Sequence, residues 1–92
     1  MHSEQRLVIA ILRDAGGEDV LKALLEADFR VTRISSTGGF MRRGTSTLLI
    51  GVEKERVENA IQLIREYSAP AINPDLKRAT VFVLKVDQFD QI

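Results

Sequence analysis

The chain has 92 residues, zero formal net charge, 45% hydrophobic and 28% charged residues, one histidine and no cysteine. This length predicts one compact domain over residues 1–92, with residues 1–5 as a disordered N-terminus. The absence of cysteine and the lone His2 disfavour disulfides, a metal cofactor and a histidine-dependent triad, so we expect no cofactor. The neutral charge, the lack of an apolar run near ~20 residues and the lack of a hydrophobic signal core predict a cytoplasmic protein without nucleic-acid binding or membrane insertion.

The first part of the chain predicts a strand followed by a helix. The segment "RLVIAIL" (6–12) is rich in β-branched residues and predicts a strand buried on both faces, which Gly16 and Gly17 would end. A helix is expected over residues 18–27 because four apolar residues recur there at helical spacing: Val20, Leu21, Leu24 and Leu25.

A hairpin is predicted next. "FRVTRIS" (29–35) and "STLLIGV" (46–52) predict the second and third strands, and the glycine-containing segment 36–45 is expected to join them as a loop. Alternation along the second strand places two sets of side chains on opposite faces, Phe29, Val31 and Arg33 against Arg30, Thr32 and Ile34.

The remaining elements complete a βαββαβ order. A helix over 54–67 has a buried stripe, and a proline-containing loop over 68–78 leads to the last strand, 79–86. This order is typical of an α+β, ferredoxin-like sandwich, in which both helices cover one face of an antiparallel four-stranded sheet. The other face would be left uncovered and apolar, so we expect subunits to associate through it.

The hairpin carries positive charge without compensating acids. Residues 29–52 contain no aspartate or glutamate but four arginines, and the segment between the strands adds a Gly-Gly pair and Phe40. Guanidinium groups, backbone amides at glycine and an aromatic ring together suit an anionic ligand with a flat base. Alone, hairpin arginines are more typical of a solvated face or of pairing with helix acids such as Glu26 and Asp28, and a Gly-Gly pair of a turn. A loop Phe could equally pack against a neighbouring subunit, so only the coincidence of these features favours a binding site. The four arginines are Arg30, Arg33, Arg42 and Arg43.

Nothing in the sequence predicts catalysis. Ser35, Ser36 and Thr37 have no histidine nearby to activate them, and the acids show no paired arrangement for general acid and base chemistry. The glycines match neither a P-loop nor a dinucleotide fingerprint. We therefore expect a binding protein and not an enzyme.

Three segments carry a family resemblance: "RVTRISSTGGFMRRGTSTLLIGVE", "ATVFVLKVDQF" and the opening "LVIAIL". With these segments the chain resembles the PII-like signal transduction proteins of bacteria that act as cyclic di-AMP receptors. The resemblance covers residues 7–67 and 79–92. It implies a ferredoxin-like subunit in a homotrimer, nucleotide bound in clefts between subunits, and a signal passed to a target protein that the sequence does not identify.

The resemblance also implies which residues contact the nucleotide. Phe40 and Met41 would flank an adenine, and the Gly39 amide would make a polar contact. Arg30 would supply charge or positioning and Thr32 a hydrogen bond to a base or phosphate. The full set comprises Arg30, Thr32, Gly39, Phe40, Met41, Thr45, Gly51 and Gln91.

Three features differ from the usual family pattern. Asp28 and Thr45 stand where asparagine is common, and the segment after the second helix is shorter than in cyclic di-AMP receptors. The short segment and Thr45 favour a second reading, in which the chain is a ligand-independent trimeric adaptor that docks on a target protein through its hairpin loops.

Overall fold

The structure is a computed structural model, and it describes residues 4–34, 45–68 and 79–87. The predicted βαββαβ order is confirmed. The third strand leads into a short 3₁₀ turn before the second helix. In chain order the elements are β1 (Gln5–Arg13), α1 (Asp14–Glu26), β2 (Arg30–Ile34), β3 (Thr45–Glu53), the 3₁₀ turn (Lys54–Arg56), α2 (Val57–Tyr67) and β4 (Ala79–Lys85).

The four strands form one antiparallel sheet in the order β2-β3-β1-β4. The two central strands, β1 and β3, each lead into a helix, and the edge strands β2 and β4 follow those helices. This is the predicted ferredoxin-like topology. Each helix crosses over a central strand to return the chain to the edge of the sheet.

One face of the sheet packs against both helices. Val8 lies opposite Ile50, and Ala10 lies opposite Leu48, so the even-numbered residues of β1 and β3 point to the same side. These side chains are buried with apolar residues of both helices. The core comprises Val8, Ala10, Leu12, Val20, Leu24, Phe29, Leu48, Ile50, Val52, Ala60 and Ile64.

On the opposite face of the sheet, called the open face below, neither of the two described helices packs. Phe82 and Leu84 of β4 are 49% and 47% exposed, and Ile11 of β1 is 36% exposed. The prediction that β1 is buried on both faces is therefore wrong for a single subunit, because the odd-numbered side chains lie on the open face. Its apolar members are Leu7, Ile9, Ile11, Ile34, Leu49, Phe82 and Leu84.

Several predicted boundaries are corrected by the structure. Gly16 and Gly17 do not end the first strand region, because α1 begins at Asp14 and includes both glycines. Thr45 was predicted to end the loop but begins β3. The predicted disordered N-terminus does not include Glu4, whose carbonyl accepts a hydrogen bond from the Lys54 N–H at 2.8 Å, or Gln5, which begins β1. Residues 1–3, 35–44, 69–78 and 88–92 lie outside the described ranges.

Gly17 is required by the approach of α1 to β3. A Cβ atom at this position would lie 2.9 Å from the Oγ of Ser46 and 3.1 Å from its Cβ, closer than such atoms normally approach. The first turn of α1 therefore rests directly on the strand, and glycine is tolerated there despite its low helix propensity because a side chain has no room.

We expect Gly17→Ala to lower the free energy of unfolding. Overpacking at such a contact costs about 1–3 kcal/mol, which exceeds the roughly 0.5–1 kcal/mol that alanine gains over glycine inside a helix. Thermal and urea unfolding of Gly17→Ala, Ser46→Ala and the double variant would measure the coupling. The double variant should be more stable than the sum of the single effects predicts; strict additivity would contradict the contact.

Candidate functional site

A groove of about 600 Å³ lies at the end of the sheet where β1 begins and β3 ends. Its floor includes Gly51 and Val52 of β3, and Phe29 contributes an aromatic wall. The groove brings together groups from the chain's beginning, the start of β2, the end of β3 and the 3₁₀ turn. Its polar and charged lining residues are Gln5, Arg6, Asp28, Arg30, Glu53 and Arg56.

Asp28 reaches the groove because of how α1 ends. The Phe29 N–H donates to the Leu24 carbonyl at 3.0 Å, and the Asp28 N–H donates to the Leu25 carbonyl at 3.1 Å. This pair of bonds is a Schellman motif, which requires a left-handed residue between helix and strand. Asp28 takes that conformation, with φ of 68°, and is the only non-glycine residue with positive φ in the described part of the chain. The motif satisfies the last carbonyls of α1 and turns the chain directly into β2.

Arg56 fixes the same junction from the other half of the chain. Its Nη2 donates a hydrogen bond to the Ala27 carbonyl at 3.0 Å, and its guanidinium carbon lies 4.1 Å from the centroid of the Phe29 ring. Phe29 is itself buried, so the cation–π contact rests on a ring held by the core. The residues on both sides of Asp28 are thereby tied to the 3₁₀ turn.

Arg30 and Gly51 lie opposite each other in the β2–β3 ladder. A Cβ at Gly51 would meet no atom within 4 Å, so the strand backbone is accessible from the groove. Arg30 is exposed, and within the described ranges its guanidinium makes no hydrogen bond or ion pair. A free guanidinium beside bare backbone offers charge and a two-pronged donor to an anionic ligand.

The other two arginines of the groove already have partners. Arg6 donates to the Glu4 carboxylate at 2.9 Å and to the Gln5 carbonyl at 3.0 Å, and its side chain is only 13% exposed. The hydrogen bond from Arg6, followed by the charge of Lys54, lowers the pKa of Glu4 below its ordinary value. Arg56 is held by Ala27 and Phe29. Arg30 is therefore the groove cation that remains available to a ligand.

Arg33, another arginine of the predicted positive hairpin, lies away from the groove. It lies on the helix side of β2, opposite Leu48, and forms an ion pair with Glu18 of α1. The sequence had left open that hairpin arginines pair with acids of the helices, and Arg33 does so. Arg42 and Arg43 lie outside the described residues.

The predicted site residues divide into three groups. Arg30 and Gly51 line the groove. Thr32 and Thr45 are on the same face of the sheet as these two residues but do not line the groove, since Thr32 pairs with Leu49 and Thr45 with Arg13, further along the strands. Four predicted residues lie outside the described ranges: Gly39, Phe40, Met41 and Gln91.

Sequence reasoning did not identify Arg6 or Arg56 as groove residues. Arg6 begins an apolar strand and Arg56 lies in a charged run before a helix, so both patterns indicate solvated surface. Only the tertiary fold brings Arg56 to Ala27 and Phe29, about thirty positions earlier in the chain. No local signal could have predicted that contact.

The described residues offer neither a metal-binding cluster nor a membrane-spanning helix. In the ranges 4–34, 45–68 and 79–87, no three histidine, cysteine, aspartate or glutamate side chains are grouped so that they could hold a metal ion. Neither helix there has the length and apolar character needed to cross a bilayer.

Comparison with known proteins identifies the family. Residues 5–69 match the family model described as "Cyclic-di-AMP receptor". A functionally unknown protein from Pediococcus pentosaceus ATCC 25745 has a similar structure, with a TM-score of 0.80 and 33% identity over 99% of this chain and 100% of that one. Arabidopsis thaliana PII bound to citrate is also similar, with a TM-score of 0.71 and 31% identity over 91% of this chain and 78% of that one. The fold is therefore PII-like, and the chain belongs to the cyclic-di-AMP receptor family.

Proposed function

We propose that the protein is a cytoplasmic, non-enzymatic PII-like receptor. It binds a cyclic dinucleotide in a cleft that includes the groove, and cyclic di-AMP is the first candidate ligand. The observation that carries this proposal is the pairing of an unpartnered Arg30 with the bare backbone of Gly51. Arg30 neutralises a phosphodiester, and the strand at Gly51 lets the nucleotide approach closely. A volume of about 600 Å³ lies within the usual range for ligand pockets.

The groove of one subunit is incomplete as a binding cleft in this proposal. It opens at the end of the sheet, beside a face whose apolar side chains no helix covers. Three copies that bury their open faces against one another would bring a neighbouring chain to this opening. Predicted residues outside the described ranges, Gly39, Phe40, Met41 and Gln91, would then complete the cleft together with Thr32 and Thr45.

The signal would be passed through the segment between β2 and β3. Both strands contribute to the groove, through Arg30 and Gly51, at the end of the hairpin opposite the connecting segment. A ligand held there would act on the segment through the two strands. Binding would order the loop over residues 38–45 and so change the surface offered to a target protein. Hydrogen exchange in this segment should slow at saturating cyclic di-AMP; unchanged exchange would contradict this relay.

The proposal predicts saturable binding of cyclic di-AMP that depends on Arg30. In titration calorimetry, Arg30→Ala should weaken binding about 10- to 100-fold, because a hydrogen bond to a charged group contributes about 1.5–3 kcal/mol. Arg65→Ala removes the same charge from the exposed surface of α2 and should leave affinity unchanged. If neither ATP nor any cyclic dinucleotide binds, the receptor proposal fails and the adaptor reading gains support.

Gly51→Ala should separate binding from folding. The added methyl group meets no atom within 4 Å, so the fold of the subunit should be preserved. It stands, however, on the surface that the ligand approaches, and we expect affinity for cyclic di-AMP to fall by about tenfold through overpacking, which costs roughly 1–3 kcal/mol. Calorimetry and circular dichroism on the same sample would check both expectations, and full affinity would show that the ligand does not contact this strand.

The open face predicts a trimer in solution. Light scattering should give about three times the subunit mass of 10.3 kDa. Phe82→Asp with Leu84→Asp should yield monomers, because both side chains are half exposed in the subunit and would meet another copy. Leu25→Asp, at a residue 52% exposed on α1, is the matched control and should remain trimeric. A monomeric wild-type protein would overturn this part of the proposal.

A further inference from the structure

We propose that Asp28 is a specificity-determining residue of the groove and that its carboxylate favours a guanine base over an adenine base. This inference rests on the proposed function, since it concerns which cyclic dinucleotide occupies the same cleft. It would make guanine-containing cyclic dinucleotides ligands of this receptor. Four observations carry it: the fixed position of Asp28, the absence of a described partner for its carboxylate, the separation of charge in the groove, and the hydrogen-bonding pattern of the two bases.

The backbone of Asp28 is held before any ligand arrives. Hydrogen bonds of 3.1 Å from its own N–H and 3.0 Å from the Phe29 N–H fix the end of α1. Arg56 holds the neighbouring Ala27 carbonyl at 3.0 Å and stacks over the neighbouring Phe29 ring at 4.1 Å. Because the backbone is clamped on both sides, binding has to order only the side-chain torsions of Asp28, and this partial preorganisation favours a selective contact.

The Asp28 carboxylate is available to a ligand. The residue is exposed and lines the groove, and within the described ranges its side chain forms no hydrogen bond or ion pair. Glu4 and Glu18, by contrast, form ion pairs with Arg6 and Arg33. Asp28 does not need to give up a partner to contact a base.

Charge decides which part of the nucleotide faces Asp28. A phosphodiester is repelled by a carboxylate and attracted by the unpartnered guanidinium of Arg30, two residues away on β2. Both side chains line the same groove. The bound orientation that satisfies both groups places phosphate toward Arg30 and a base edge, which can donate hydrogen bonds, toward Asp28.

The two purines differ in what they offer a carboxylate. A carboxylate only accepts hydrogen bonds. Guanine presents its N1–H and its N2 amino group side by side, so both oxygens of Asp28 can accept at once. Adenine presents its N6 amino group beside a ring nitrogen acceptor, N1 or N7, so one carboxylate oxygen would face a lone pair. An amide in this position could donate to that ring nitrogen, whereas aspartate cannot.

The test is calorimetric titration of wild type, Asp28→Asn and Glu53→Gln with cyclic di-AMP and with cyclic di-GMP. Wild type should bind both cyclic di-AMP and cyclic di-GMP. Asp28→Asn should shift the ratio of the two affinities toward cyclic di-AMP by about tenfold or more, the effect of one two-pronged base contact. Asparagine tolerates positive φ, so the variant keeps the helix terminus.

Glu53→Gln is the matched control, because it removes one negative charge from the same groove at the end of β3. This substitution should raise the affinities for both ligands equally and leave the ratio of the two affinities unchanged. Asp28→Gly, also compatible with positive φ, should bring the two affinities together. Melting curves of all variants would verify that each is folded.

The outcomes separate this inference from the function on which it rests. Equal strengthening of both ligands by Asp28→Asn and by Glu53→Gln would overturn it, since Asp28 would then act only by charge. Wild type that prefers cyclic di-AMP, with a ratio unaffected by Asp28→Asn, would also overturn it while leaving the receptor proposal intact. If no variant binds either cyclic dinucleotide, both fail together.

Discussion

The contact of Arg56 with the end of α1 joins the two halves of the chain at the place where the groove forms. Its hydrogen bond to Ala27 and its stacking on Phe29 tie the 3₁₀ turn after β3 to the turn before β2. The β2–β3 ladder sets the distance between Arg30 and Gly51, and the Arg56 contacts hold the residues on both sides of Asp28 against the 3₁₀ turn beside them. A charge-assisted bond to a helix-terminal carbonyl also satisfies an acceptor that α1 leaves unpaired.

The sheet carries apolar residues on both faces, and a single subunit buries only the face that packs against the helices. The even-numbered residues of β1 and β3 form the core under the helices, while the odd-numbered ones lie on the open face. On that open face Thr47 has a buried Oγ1 without a hydrogen-bond partner, an arrangement that costs about 1–3 kcal/mol if nothing satisfies it. Both observations favour a second protein surface against this face, and association would stabilise the subunit and close the groove in one step.

The sequence predicted the parts of the fold that depend on the periodicity of apolar residues. It did not predict the parts that depend on contacts between residues distant in the chain. Alternation in β2 placed Arg30 and Arg33 on opposite faces, and the structure confirms it: Arg33 pairs with Glu18 of α1, and Arg30 lines the groove. Gly16 and Gly17 were misread as a stop, because the space that excludes a side chain at Gly17 is created by Ser46, far along the chain. Arg56 was missed for the same reason. Contacts between residues that are distant in the sequence produce no pattern in the residues next to either partner.

Family membership and ligand preference have different physical origins in this protein. The sheet order and the helix that leads into β2 position residue 28 at the groove whatever its side chain, provided that the residue tolerates positive φ. Aspartate, asparagine and glycine all meet that condition at modest cost. The fold therefore tolerates three kinds of side chain at this position: aspartate, which only accepts hydrogen bonds, asparagine, which donates and accepts them, and glycine, which has no side chain. If the groove binds a cyclic dinucleotide as proposed, one substitution at residue 28 would change the preferred base, because the helix terminus constrains the backbone and only the ligand constrains the side chain.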